Sequence, residues 1–163
     1  MIKKPLFLKF ANREISIYEI LQSFSRSSDK HTADTAMKIM QEPPDLSSFQ
    51  EEFIDALRDI IKKGIGEEFV VFVNHYMEPS LEEDVQMSDG QFGENISRFA
   101  RVKNDKAPWI QGLICYNLCL YIKAYGLENV KSCKICGTFF NHKGKYAVYC
   151  SDVCKAQGKR KKI

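Results

Sequence analysis

At 163 residues the chain has room for one ordinary domain, or for a body of roughly 130 residues with a small appended module. Hydrophobic residues make up 44% of it, with eleven Phe and seven Tyr, which excludes a disordered chain and supplies a core without covalent help. The net charge of +3 is unevenly spread: residues 131–163 hold nine Lys or Arg against one acid, Asp152, so a +8 segment follows a −5 body.

Taken in chain order, the apolar run Pro5-Leu6-Phe7-Leu8-Lys9-Phe10 reads as a strand. Glu14 to Phe24 reads as a strand or a helix, with Ala11-Asn12-Arg13 as the turn between them. After a polar break at Ser25 to Asp29, Ala33 to Met40 is expected to be a short helix ended by Pro43-Pro44. From Ser47 onward, Phe49, Phe53, Ala56, Leu57, Ile60 and Ile61 fall on one face at helical spacing. Ser48 and Glu51 suit a capping box there, and Gly64 is a natural stop. The β-branched and aromatic run Phe69 to Val73 reads as a buried strand. Residues 78–106 lose periodicity and read as a long connection. From Pro108 to Tyr125 the chain is apolar on nearly every face, as befits a helix in the middle of a core, and Gly126 ends it. Cys115 and Cys119 lie four apart on this helix and read as small hydrophobes packed in that core. The expected architecture is an α+β, helix-rich body over residues 1–130, followed by a separate module over residues 131–163. No apolar run reaches the roughly 18 residues of a membrane span, and no opening segment has the pattern of a signal peptide. The chain is therefore expected to be soluble and cytoplasmic.

The module opens with Cys133-Lys134-Ile135-Cys136-Gly137 and closes with Cys150-Ser151-Asp152-Val153-Cys154, thirteen residues separating Cys136 from Cys150. Two close cysteine pairs joined by a short hairpin are what tetrahedral zinc needs, because four soft ligands are gathered at little cost in chain entropy. A disulfide pair is the competing arrangement, and a reducing cytosol disfavours it. One structural zinc on Cys133, Cys136, Cys150 and Cys154 is expected. Four thiolates leave the ion no open position for water, so catalysis by the metal is not expected. Gly137 suits the tight turn of a zinc knuckle, Phe139-Phe140 and Tyr146 to Tyr149 suit two strands of a hairpin, and Ser151 suits the cap of a last helix. Knuckle, hairpin and helix together make a treble clef. With four thiolates and one zinc ion adding −2, the module stays basic at about +6, and such polarity points to an anionic partner.

This run of Cys-x-x-Cys-Gly, a nearby Phe, a basic hairpin, Tyr149-Cys150-Ser151-x-x-Cys154 and a Lys/Arg-rich end resembles the C-terminal zinc finger of bacterial CGNR-type proteins. In that family a mixed α/β domain, the ABATE domain, precedes the finger. The likeness covers the last 31 residues; in this chain Lys155-Ala156-Gln157 follows the last cysteine where the family has Gly-Asn-Arg. The resemblance implies a transcription regulator that binds DNA through the finger, with DNA preferred over RNA as partner. Lys155, Lys159 and Lys162 recur at i, i+4 and i+7 and would form one basic stripe, widened by Arg160 and Lys161. Lys143 and Lys145 add charge from the hairpin. Lysine outnumbers arginine eight to one in residues 131–163, which suits phosphate contact with weak sequence choice. In this reading the body senses, oligomerises or binds a protein partner; the rival reading is a protein-interaction adaptor whose finger is purely structural, capping the long apolar helix and docking an acidic protein surface. No enzyme is expected. His142 lacks the second His or Asn that nuclease chemistry on such a hairpin would use, and His31 and His75 lack a paired carboxylate or cysteine.

Overall fold

A computed structural model of the chain describes residues 4–28, 30–78, 87–88, 91–92 and 109–160. Seven helices are seen among them: α1 (Leu6–Ala11), α2 (Ile17–Ser25), α3 (Lys30–Gln41), α4 (Ser47–Lys63), α5 (Glu67–Met77), α6 (Trp109–Tyr125) and α7 (Asp152–Arg160). Strand among the described residues is confined to two antiparallel ribbons, β1 (Met87–Ser88) with β2 (Gln91–Phe92), and β3 (Val130–Ser132) with β4 (Phe139–Asn141). The helix-rich expectation is met. The long connection expected over 78–106 and the helix start at Pro108 lie outside the described residues, apart from Glu78 and the β1–β2 ribbon.

Two short apolar runs expected to be strands are helices, and burial shows why. In α1 the buried residues are Phe7, Leu8, Phe10 and Ala11, the spacing of a helical face. Pro5 stands at its N-cap, and the Phe7 N–H, which no turn of the helix could satisfy, donates to Asn117 Oδ1 of α6 at 3.1 Å. In α5 the buried residues are Phe69, Val73 and Met77, one every four, while Val71 in the middle of the run is exposed. Helix packing has overridden the β preference of the Phe69–Val73 run. The ambiguous segment before Phe24 is helical because Ser16 and Glu19 close a reciprocal capping box at its start.

The amphipathic helix from Ser47 and the apolar one ending at Gly126 form as expected. At the start of α4, however, the Ser47 N–H donates to the Asp45 carboxylate at 2.9 Å, and the expected Ser48–Glu51 box is not formed. Gly64 ends α4 at φ 84°. Helix α6 is the hub: α5 and α1 pack on it, and Trp109, Ile114, Cys115, Leu118 and Cys119 are all but inaccessible. Aromatic contacts bind α1 to α4, with Phe10 lying 5.6 Å from Phe49 and 5.8 Å from Phe53 between ring centroids. Val130 of β3 and Phe139 of β4 belong to this same core, so the C-terminal ribbon is rooted in the helical body. Among the described residues no helix is long and apolar enough to cross a membrane.

Candidate metal centre and basic surface

The ribbon that positions the cysteines is fixed by its own ladder and along the outer edge of β4. Ser132 pairs with Phe139, Lys131 with Phe140 and Val130 with Asn141. On the free edge of β4 the Asn12 side-chain amide takes the place of a further strand, donating to the Phe139 carbonyl at 2.7 Å and accepting from the Phe139 N–H at 2.8 Å. Cys133 follows β3 directly. Its N–H donates to the Thr138 carbonyl, and the Gly137 N–H returns to the Cys133 carbonyl, both at 2.9 Å. Gly137 closes this turn at φ 73°, a conformation that suits glycine, as its place after the second cysteine suggested.

The second cysteine pair is brought back over the first by backbone contacts. The Lys134 N–H donates to the Val148 carbonyl at 3.0 Å. Residues 146–149 form no strand; β4 pairs with Val130–Ser132, ahead of the first cysteine, which corrects the expected hairpin. One extended segment cannot serve both as partner to β4 and as the chain that wraps the cysteine cluster. Ser151 caps α7 as expected, its Oγ accepting from the Cys154 N–H at 3.3 Å, and Cys154 sits in the first turn. Helix α7 is seated against the loop by the Tyr149 ring on Gly158; a Cβ there would meet the phenol oxygen at 2.6 Å.

The four sulfurs of Cys133, Cys136, Cys150 and Cys154 all lie within 4.8 Å of one another and could hold one metal ion. Three of them form a near-equilateral face, with Sγ–Sγ distances of 3.5 Å for Cys136–Cys150, 3.7 Å for Cys150–Cys154 and 3.7 Å for Cys136–Cys154. All six cysteines of the chain are free thiols. Local donors prepare part of the cluster for negative charge. Burial works to raise the Cys133 thiol, but the backbone N–H groups of Cys136, Ile135 and Cys150 win and bring it down to about 6. The Thr138 hydroxyl, 3.2 Å from the Cys136 sulfur, and the Thr138 backbone lower Cys136. Cys150 goes the other way, to about 12, pushed by burial and then by its cysteine neighbours. Four thiols this close cannot all ionise unless a cation is among them.

Lys143 and Lys145 are exposed on the loop after β4, and Lys155, Lys159 and Arg160 are exposed on α7. Lys161 and Lys162 lie outside the described residues. The ion pairs seen among the described residues, Lys4–Glu14, Arg13–Glu51, Arg58–Asp55 and Lys63–Asp59, all belong to the body and engage none of these cations. Loop and helix meet across an open groove of about 680 Å³ that Tyr146, Tyr149, Ser151 and Lys155 line. His142 is exposed, with its Nδ1 accepting from the Gly144 N–H at 2.8 Å. Cys115 and Cys119 are buried in α6 and take no part in the cluster.

Two contributors escaped the sequence reading. Thr138 stands two residues after Cys136, near enough in sequence for its role at the sulfur to be legible. Asn12 is 127 residues from its partner Phe139, and nothing local signals the pairing. In comparison with known proteins, no family model, no curated protein and no solved structure matches the chain.

Proposed function

We propose that this chain is a zinc-stabilised nucleic-acid-binding regulatory protein, with a treble-clef type of finger in its last 33 residues that meets the phosphate backbone of DNA. Zinc is favoured by the donor set and by size. Four thiolates at a zinc–sulfur distance of about 2.3 Å stand about 3.8 Å apart, close to the three Sγ–Sγ edges among Cys136, Cys150 and Cys154. Kinship with the CGNR-type fingers belongs to the same proposal and rests on the residue spacing from Cys133 onward. The observation that carries the nucleic-acid reading is that Lys143, Lys145, Lys155, Lys159 and Arg160 are all exposed on the loop and the helix that flank the second cysteine pair. Such a surface suits phosphates, whose counterions are released on contact. The acidic body would then repel the same polyanion and leave the finger as the face that engages it.

The test is a salt titration of binding to a short DNA duplex. Affinity should fall steeply with salt, and each Lys→Ala change at 145, 155 or 159 should lower the slope by about one unit at unchanged zinc content. Zinc should be present at one ion per chain. A triple change of Lys145, Lys155 and Lys159 to Glu that bound DNA as well as the parent would overturn the proposal, and an adaptor with a purely structural finger would take its place.

A further inference from the structure

Among the described residues of the finger, the most exposed large apolar side chain lies on the basic loop: Tyr146 is 85% accessible. The Lys145 ammonium stands 5.9 Å from the centre of its ring, within the range of a cation–π contact. A second exposed ring, Tyr125 at the end of α6, is 59% accessible and borders the same loop, where it shares a small depression with His142 and Lys143. His142 borders both the Tyr125 depression and the Tyr146 groove, so the two depressions adjoin at the start of the basic loop. Lys155 enters the Tyr146 groove from α7. The one acid on that groove, Asp152, sits in the first turn of α7, where the helix dipole offsets its charge.

A duplex offers this surface phosphates and groove edges, and keeps the faces of its bases stacked out of reach. A single strand offers phosphates and open base faces together. Interleaved cations and exposed rings are the arrangement that uses both. We propose that the finger binds single-stranded nucleic acid in preference to duplex, with a base stacked on Tyr146, a neighbouring one on Tyr125, and the intervening phosphates held by Lys143, Lys145 and Lys155. This deepens the nucleic-acid reading above and depends on it.

The experiment compares full-length, zinc-loaded protein binding to an oligothymidine of about 15 nucleotides, to the matching oligouridine, and to a duplex of equal length. The parent should favour the single strands, and the two oligomers show whether the sugar matters. Tyr146→Ala should weaken single-strand binding at least about tenfold more than duplex binding, without reducing the salt slope. Tyr146→Phe should restore the preference, because stacking needs the ring and not the hydroxyl. As a measurement that does not depend on tolerance of alanine, Tyr146→Trp should show indole fluorescence quenched on adding oligothymidine, against the buried background of Trp109. Equal losses on single strand and duplex, or no quenching, would overturn this inference while salt-sensitive duplex binding left the broader reading standing. Absence of binding to all three would remove both.

Discussion

At the scale of single residues, the six cysteines show how environment sets the chemistry of one side chain. Cys133 and Cys136 are surrounded by backbone and hydroxyl donors that favour the thiolate, as a metal ligand requires. Cys115 and Cys119 are shut inside α6, where burial drives both thiols well above the ordinary value near 9, with Cys119 adding to the effect on Cys115. A thiol raised on folding stabilises the protein fully below its unfolded pKa, and that contribution is lost as pH rises through and beyond that value toward the folded one. Denaturant unfolding followed above pH 9 should therefore show stability falling by up to about 1.4 kcal/mol per pH unit for each of these thiols. The variant Cys115→Ala with Cys119→Ala should be less stable at neutral pH, from the lost packing, and should show a shallower alkaline decline. Identical slopes in parent and variant would mean that water reaches both thiols in the folded state.

At the scale of elements, what the sequence made legible depended on length and on the reach of each signal. The 17-residue helices α4 and α6 and the cap of α7 could be read because many residues repeat one pattern, or because a cap lies three residues from its partner. The segments α1 and α5 could not, because a short apolar run does not distinguish a buried strand from a buried helix face, and the deciding partners lie in other helices. The strand β4 was recognised but given the wrong partner, since pairing with 146–149 needs the shorter loop and pairing with Val130–Ser132 leaves room for the turn that carries Cys133 and Cys136. The edge of β4 then depends on Asn12. Changing Asn12→Ala leaves the N–H and carbonyl of Phe139, a residue 2% exposed, without their partner. A loss of about 1–3 kcal/mol is expected in chemical denaturation, and on the proposed reading the stoichiometry of bound metal should be kept and its affinity reduced, because the ribbon seats the first cysteine pair. Asn12→Asp should be worse than Asn12→Gly, since the carboxylate accepts from the Phe139 N–H but faces the Phe139 carbonyl with no donor.

At the scale of the whole molecule, the cysteine cluster and the helical core meet in the β3–β4 ribbon, and this sets what should happen when the proposed metal is removed. The turn Cys133–Gly137, the loop after Asn141 and helix α7 bury little of their own: on α7 the buried residues are Cys154 and Gly158. On the proposed reading, a module so poor in core would depend for its order on metal binding worth about 10 kcal/mol. The ribbon differs, because Val130 and Phe139 are 3% and 2% exposed within the core built on α1, α4 and α6. Stripping the metal with a chelator, or changing Cys136→Ser, should thus melt the chain unevenly. Amide exchange followed by NMR should show lost protection at Lys134, Cys154 and Lys155, whose N–H groups bond to Val148, Ser151 and Ser151 within the cluster. Protection should persist at Phe139, whose N–H is held by Asn12, and at His142, whose N–H bonds to the Asn129 carbonyl at 2.9 Å. Loss of protection at all of these together with the α6 amides would show that metal and core fold as one cooperative unit. Retention at all of them would show that the cysteine cluster is ordered without metal, against the mutual repulsion of four crowded thiols.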